Sequence, residues 1–143
     1  VQGDNYSGEP MAYLFEDSEI TETISPYIMA RIIDVKDFLT EYPYQIQPED
    51  FKIHFRVIDQ MSSWNNGDFM VSWHNGETIC EQVEDNQSIN VVELSINTLT
   101  TMLMGYKRPT YLYDHEKTQT EYYMLTWLER LIPVEKPYFS DYF

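Results

Sequence analysis

The chain closes on Pro137-Tyr138-Phe139-Ser140-Asp141-Tyr142-Phe143, four of whose last six residues are aromatic. Chain ends are usually polar and frayed. An aromatic end gains by lying on a surface, because each large side chain left in water forgoes roughly 1.5–3 kcal/mol. Such an end also carries the α-carboxylate of Phe143 to a defined place. With a reference pKa of about 3.3–3.7 that group is ionised at neutral pH, so it can accept a proton or bind an ammonium. The alternative is that the tail packs for stability alone.

Other reactive side chains lack a constellation. His54, His74 and His115 have no metal-ligand spacing, and no metal site is expected. His115-Glu116 opens like a zinc-protease helix, but Gln119 stands where the second histidine is needed. Sheet-face or surface positions are the expectation for all three. Cys80, the sole cysteine, falls in an expected strand and reads as a buried structural thiol. No nucleophile elbow, phosphate-cradling loop or dinucleotide fingerprint is present. Met102, Met104 and Met124 suit either an adaptable apolar site or ordinary core filling. Trp64 reads as a packing anchor beside the Asn66-Gly67 turn.

Composition narrows the partners. The 143 residues hold 9 Lys plus Arg against 24 Asp plus Glu, a net charge of −15. Nucleic acid and anionic membranes both demand a basic footprint, so neither is expected as a partner; a cationic one is. No apolar run approaches the roughly 20 residues of a membrane span. A lone cysteine suits a reducing cytoplasm. Val1 in place of Met reads as a trimmed or processed start.

The elements that must position these residues can be read in order. Val1 to Pro10 reads as a linker, and Met11 to Phe15 as a short strand orphaned from its partners. Ile28 to Ile33 has strand composition. Asp34 suits an N-cap, with Asp37 in the first turn. Val35, Phe38, Leu39 and Tyr42 form a helical stripe ended by Pro43. Phe51 to Ile58 alternates as a strand, with Phe51, Ile53, Phe55 and Val57 on one face. Phe69, Val71 and Trp73 alternate next, and Asn75-Gly76 marks a hairpin into Thr78 to Val83. Asp85 to Ser88 is a turn before a strand from Ile89 to Ile96. Ser95 or Asn97 can cap a helix over 98–104 that Gly105 ends. Pro109 is expected to keep the following stretch extended. Thr120 is expected to cap a last helix with Met124, Trp127, Leu128 and Leu131 on its apolar stripe. The order predicts an α+β fold, a mostly antiparallel sheet with helices on one face.

Several blocks carry a resemblance. Pro26-Tyr27-Ile28-Met29-Ala30-Arg31-Ile32-Ile33-Asp34-Val35, Trp64-Asn65-Asn66-Gly67, Leu94-Ser95-Ile96-Asn97-Thr98-Leu99, Met104-Gly105-Tyr106-Lys107-Arg108-Pro109 and Pro137 to Phe143 resemble the C-terminal third of the Eis (enhanced intracellular survival) acetyltransferases. These are GNAT-type N-acetyltransferases: two GNAT-like domains followed by a sterol-carrier-protein-like (SCP2-like) domain. The resemblance implies that residues 1–25 end the preceding domain or a linker, and that residues 26–143 form the SCP2-like domain. It implies acetyl transfer from acetyl-CoA to a primary amine of a cationic substrate, an aminoglycoside or a lysine-type amine. The α-carboxylate of Phe143 would be the general base, with Asp141 and Tyr142 at the substrate.

The resemblance also implies upstream GNAT domains as partners and a homo-oligomer, hexameric in the family. The family binds acetyl-CoA through an Arg/Gln-x-x-Gly-x-Gly/Ala loop, and this chain has none. No cofactor is therefore expected on it, and alone it should be inactive. Some members have an acidic penultimate residue for aminoglycosides; here that position is Tyr142, with Asp141 before it. Two other roles fit an SCP2-like domain: binding an apolar ligand in a tunnel lined by the Met-rich helices, or building the assembly.

Overall fold

The structure, a computed structural model, describes residues 29–84 and 90–135. The expected boundary at residue 25, the Met11 to Phe15 strand and the Asp85 to Ser88 turn lie outside the described residues.

Helix α1 (Val35–Glu41) begins where Asp34 predicts: the Asp34 carboxylate accepts the Asp37 N–H at 2.9 Å. It stops at Tyr42, because the residue before a proline is pushed out of the helical region; its ψ is 132°. Strands β1 (Lys52–Ile58), β2 (Gly67–His74) and β3 (Glu77–Val83) form an antiparallel meander. The β2–β3 hairpin turns on Asn75 and Gly76, both at positive φ (51° and 78°), the geometry that an Asn-Gly pair favours.

Strand β4 (Val91–Ser95) pairs with β1 in parallel, and the two-residue β5 (Thr118–Gln119) pairs with β4 antiparallel. The sheet order is β3-β2-β1-β4-β5. The fold is α+β, with one parallel pairing in a sheet that is otherwise antiparallel.

One sheet face is the core. Ile53, Phe55, Val57, Phe69, Val71, Trp73, Val92 and Leu94 are buried on it, as alternation requires. The helices bring the covering layer: Val35 and Leu39 from α1, Leu99 and Met102 from α2 (Ile96–Leu103), Leu112 from α3 (Pro109–Asp114), and Met124, Leu128 and Leu131 from α4 (Tyr122–Leu131). The other face carries Lys52, Arg56, Asp68, Ser72 and Glu81.

Four local expectations are corrected. Residues 29–33 form no strand; they are held by side chains of the β1–β2 connection, described below. Pro109 starts a helix rather than keeping the chain extended, since the first helical position needs no N–H donor. Thr120 does not cap α4: its hydroxyl donates to the Val91 carbonyl at 2.7 Å, and Glu121 takes the cap position. The strand read as running to Ile96 ends at Ser95, whose hydroxyl caps α2 by accepting the Thr98 N–H at 3.1 Å.

Candidate functional site

Two polar clusters hold the two ends of the described residues against the rest of the fold. The first is centred on Asp59, just beyond β1, whose side chain is 1% exposed. Its Oδ1 accepts from Arg31 Nη2 at 2.7 Å, Met61 N at 2.9 Å and Ser62 N at 3.2 Å. Its Oδ2 accepts from Arg31 Nη2 at 2.6 Å and Asn65 Nδ2 at 3.3 Å. Burial alone would raise the Asp59 pKa. The Met61 N–H, Arg31, Asn65 and the Ser62 N–H outweigh it and hold the carboxyl below its usual range.

The Trp64-Asn65-Asn66-Gly67 block completes this cluster. Asn65 is fully buried; its Nδ2 donates to Ile33 O at 2.9 Å and its Oδ1 accepts from Val35 N at 3.0 Å. Trp64 Nε1 donates to the same Ile33 carbonyl at 2.9 Å. Asn66 Oδ1 accepts from Asp59 N at 3.0 Å. Gly67 sits at φ 149°, where an added Cβ would stand 3.0 Å from Gln82 Nε2. These residues therefore clamp the incoming chain at Arg31 and Ile33. Trp64 acts through its N–H and leaves its ring 58% exposed, so it is a strap and not the packing anchor expected.

The second cluster is centred on Arg108. The chain turns at Gly105 (φ 72°) and reaches Arg108 just before α3. Its Nε donates to Glu129 Oε2 at 2.8 Å and its Nη2 to Glu129 O at 2.9 Å. Its Nη1 donates to Ile132 O at 3.2 Å and Pro133 O at 2.9 Å. The other Glu129 oxygen accepts from Thr110 N at 3.0 Å and Thr110 Oγ1 at 2.9 Å. Burial raises the Glu129 pKa, but the Thr110 N–H, Arg108 and the Thr110 hydroxyl together carry it below its usual range. Arg108 thus takes up carbonyls that the end of α4 leaves free, and it fixes the backbone at Pro133.

Phe143, Asp141 and Tyr142 lie outside the described residues, as does the rest of the aromatic tail. The remaining reactive side chains are dispersed. His54 is fully buried on the polar sheet face, with Nε2 2.7 Å from Asp68 Oδ1, which also accepts from Arg56 Nε at 2.8 Å. His74 is exposed at the β2–β3 turn. His115 stacks on Tyr111 at 4.0 Å between ring centroids. Burial pushes the Cys80 thiol up to about 12, which suits a structural thiol. Among the described residues, no three His, Cys, Asp or Glu side chains are grouped to hold a metal ion. No helix among them is long and apolar enough to cross a membrane.

Met102 and Met124 are fully buried in the core. One cleft of about 430 Å³ runs beside α2 and α3, another of about 310 Å³ beside Glu129; no methionine lines either. Sequence reasoning missed Asp59 and Arg108 as organising residues. Arg108 stood inside a quoted block, between the helix stop Gly105 and Pro109, a position where a side chain can meet a helix end.

The family model for the sterol carrier protein domain matches residues 35–140. The chain belongs to the sterol carrier protein domain family. Its fold recurs in solved structures. A conserved protein of unknown function from Enterococcus faecalis V583, titled a probable N-acyltransferase, superposes with a TM-score of 0.78 at 23% identity, over 96% of this chain and 34% of its own. A GCN5-related N-acetyltransferase from Anabaena variabilis ATCC 29413 gives 0.63 at 22% identity, over 75% and 26%. Another from Kribbella flavida gives 0.65 at 15% identity, over 79% and 28%. This sterol carrier protein domain thus spans about a third or less of the structures it matches. No curated protein matches the chain in sequence.

Proposed function

We propose that this sterol carrier protein domain is the C-terminal part of a longer, Eis-like N-acetyltransferase, and that it contributes the terminal carboxylate of Phe143 as general base. The observation carrying this reading is the Arg108 clamp. A terminal carboxylate can act as a base at a fixed point only if the chain leading to it starts from one, and Arg108 ties Pro133 to α4 ten residues before Phe143. The sequence blocks that resemble the Eis family, and structural neighbours that are a probable N-acyltransferase and two GCN5-related N-acetyltransferases, support the same reading.

The proposed reaction moves an acetyl group from the acetyl-CoA thioester to a primary amine. Among the described residues no glycine-rich loop opens a helix where the pyrophosphate of acetyl-CoA could sit. Gly67, Gly76 and Gly105 end turns or follow a helix, and none opens a helix N-terminus where a pyrophosphate would sit. The nucleotide belongs to the upstream part of the protein. Here the Phe143 carboxylate would accept the proton of the substrate ammonium, freeing the nitrogen lone pair to attack the thioester carbonyl; the C–N bond forms as the C–S bond breaks, and the departing thiolate takes up the second proton lost from nitrogen. Asp141 and the net charge of −15 favour a cationic amine.

The test is made on the full-length polypeptide. One residue added after Phe143 displaces the carboxylate. Acetyl transfer should fall about 10²-fold, the usual scale of a lost general base, while the melting temperature holds. Unchanged activity would reduce the tail to packing. A coding sequence without an acetyl-CoA-binding domain upstream would overturn the enzyme class.

A further inference from the structure

The cleft of about 430 Å³ beside α2 and α3 has a lining that neither the core nor the two clamps explain. Ser95, Thr98 and Thr101 stand three residues apart, so α2 and its N-cap present three hydroxyls along one face. The Ser95 and Thr98 hydroxyls share one hydrogen bond at 3.0 Å, which leaves one of their two hydrogens for a ligand. The Thr101 hydroxyl makes no bond among the described residues. Tyr111 and His115, four apart, form another wall, their rings stacked with centroids 4.0 Å apart. Lys107 Nζ lies 4.5 Å from the centre of the Tyr111 ring. Lys117 closes the cleft where the chain passes from α3 to β5.

Charge sets this lining apart. The chain holds 24 Asp plus Glu, yet among the described residues none lines the cleft. Arg31, Arg56 and Arg108 are each spent on a carboxylate, whereas Lys117 makes no ion pair among the described residues. An independent sign lies beneath. Thr118 follows Lys117 and stands opposite Leu94, the neighbour of Ser95, so its side chain shares the sheet face that α2 and α3 cover. It is 3% exposed, and its hydroxyl has no partner. A buried hydroxyl without a partner calls for a group that the protein does not itself supply.

Hydroxyl donors around one ammonium match an anion rich in acceptors, and 430 Å³ falls in the range of small-molecule sites, roughly 300–1,000 Å³. The geometry points to this cleft as the site of a small organic phosphate. Its oxygens accept from the Thr101 hydroxyl, the Ser95–Thr98 pair and Lys117 Nζ, and its organic part lies against Tyr111.

The test titrates the 143-residue chain with phenyl phosphate by calorimetry, at about 0.15 M salt so that distant charges are screened. One saturable site is expected, with phenol silent and inorganic phosphate weaker for want of the ring contact. Lys117→Met should weaken binding about tenfold, the scale of a lost hydrogen bond to a charged group, and so should Thr101→Val, which keeps the side chain's shape. Lys36→Met should change nothing, because α1 packs on β2 and β3 at the far side of the sheet. In the parent, amide resonances of residues 95–101 and 111–118 should shift on adding phenyl phosphate while those of α1 stay, a readout that needs no variant to fold. No saturation by about 10 mM, a concentration above the reach of millimolar affinity, would overturn the inference. Equal weakening by Lys36→Met would show a response to net charge alone and overturn it too. So would phenol binding as tightly as phenyl phosphate, inorganic phosphate doing the same, or resonance shifts confined to other parts of the chain.

Discussion

Arg108 Nη2 lies 2.6 Å from Glu129 Oε2, and Nε donates to the same oxygen at 2.8 Å. The two residues are 21 apart in sequence and join the start of α3 to the last turn of α4. The pair is part-buried, and its guanidinium is shared with three backbone carbonyls, so it differs from a solvated surface ion pair.

Removing the guanidinium should therefore cost more than a surface pair would. Arg108→Ala leaves Glu129 O, Ile132 O and Pro133 O without their donor. It should lower stability by about 2–3 kcal/mol in urea melts, the scale of hydrogen bonds to charged groups. Arg108→Lys should recover less than half, because one ammonium cannot reach the carboxylate and the carbonyls in the same fork. A loss under about 0.5 kcal/mol would make the contact incidental.

Trp127 is expected from its stripe to be fully buried. The structure makes it only partly so: its ring stacks on Phe51 with centroids 4.3 Å apart, while Arg130 lies 5.0 Å from its centre. Trp127→Ala should then cost about 1.5–3 kcal/mol, below the 3–5 of a fully buried ring. Denaturant melts showing 4 kcal/mol or more, about the full-burial cost, would mean that the indole is better covered than this geometry allows.

What was legible in the sequence is what is settled within a few residues. Asp34 and Ser95 cap helices through side chains three residues from their partners, and Asn75-Gly76 sets its turn alone. Alternation along 53–57 and 69–73 gave the core face directly. The clamps could not be read this way. Asp59 meets Arg31 across 28 residues, and nothing local to either predicts the other. Pro109 was ambiguous for a physical reason: a fixed φ suits both an extended chain and a first helical turn, and Arg108 with α4 decides between them. Thr120 had an N-cap's identity, but the Val91 carbonyl on the neighbouring strand competed for its hydroxyl. Of the candidate site, only the chemistry of its terminal carboxylate was legible; Phe143 lies outside the described residues.

Cys80 gives a prediction at alkaline pH. Burial raises its thiol from 9.0 to about 12, and burial likewise raises the Tyr42 phenol, whose hydroxyl donates to Leu103 O at 2.9 Å, from 10.0 to about 12. A folded pKa above the unfolded one means stability that is complete below the unfolded value and lost as pH rises through the folded one. The melting temperature should fall between pH 9 and 12. At about pH 8 a disulfide reagent should label Cys80 only after denaturant is added. Rapid labelling of the native chain would show an accessible thiolate and sink the structural role.

Asp59 reverses the sign. Its carboxyl is held below its usual value, so its contribution is present above the unfolded pKa, near 3.8, and is lost as pH falls through the folded one. Asp59→Asn keeps the shape but puts an amide donor against Arg31 or Asn65, both already donors. Because one partner of a largely buried pair is removed, stability near neutral pH should drop by about 2–4 kcal/mol. The gap between parent and variant should then narrow on acidification from about pH 6 to about pH 2, as the parent carboxylate takes up its proton and loses the same charge. Urea melts across that range decide the matter. A gap that stays constant would mean that the lost stability comes from packing or geometry, and that the charge on Asp59 does not hold Arg31 and the incoming chain in place.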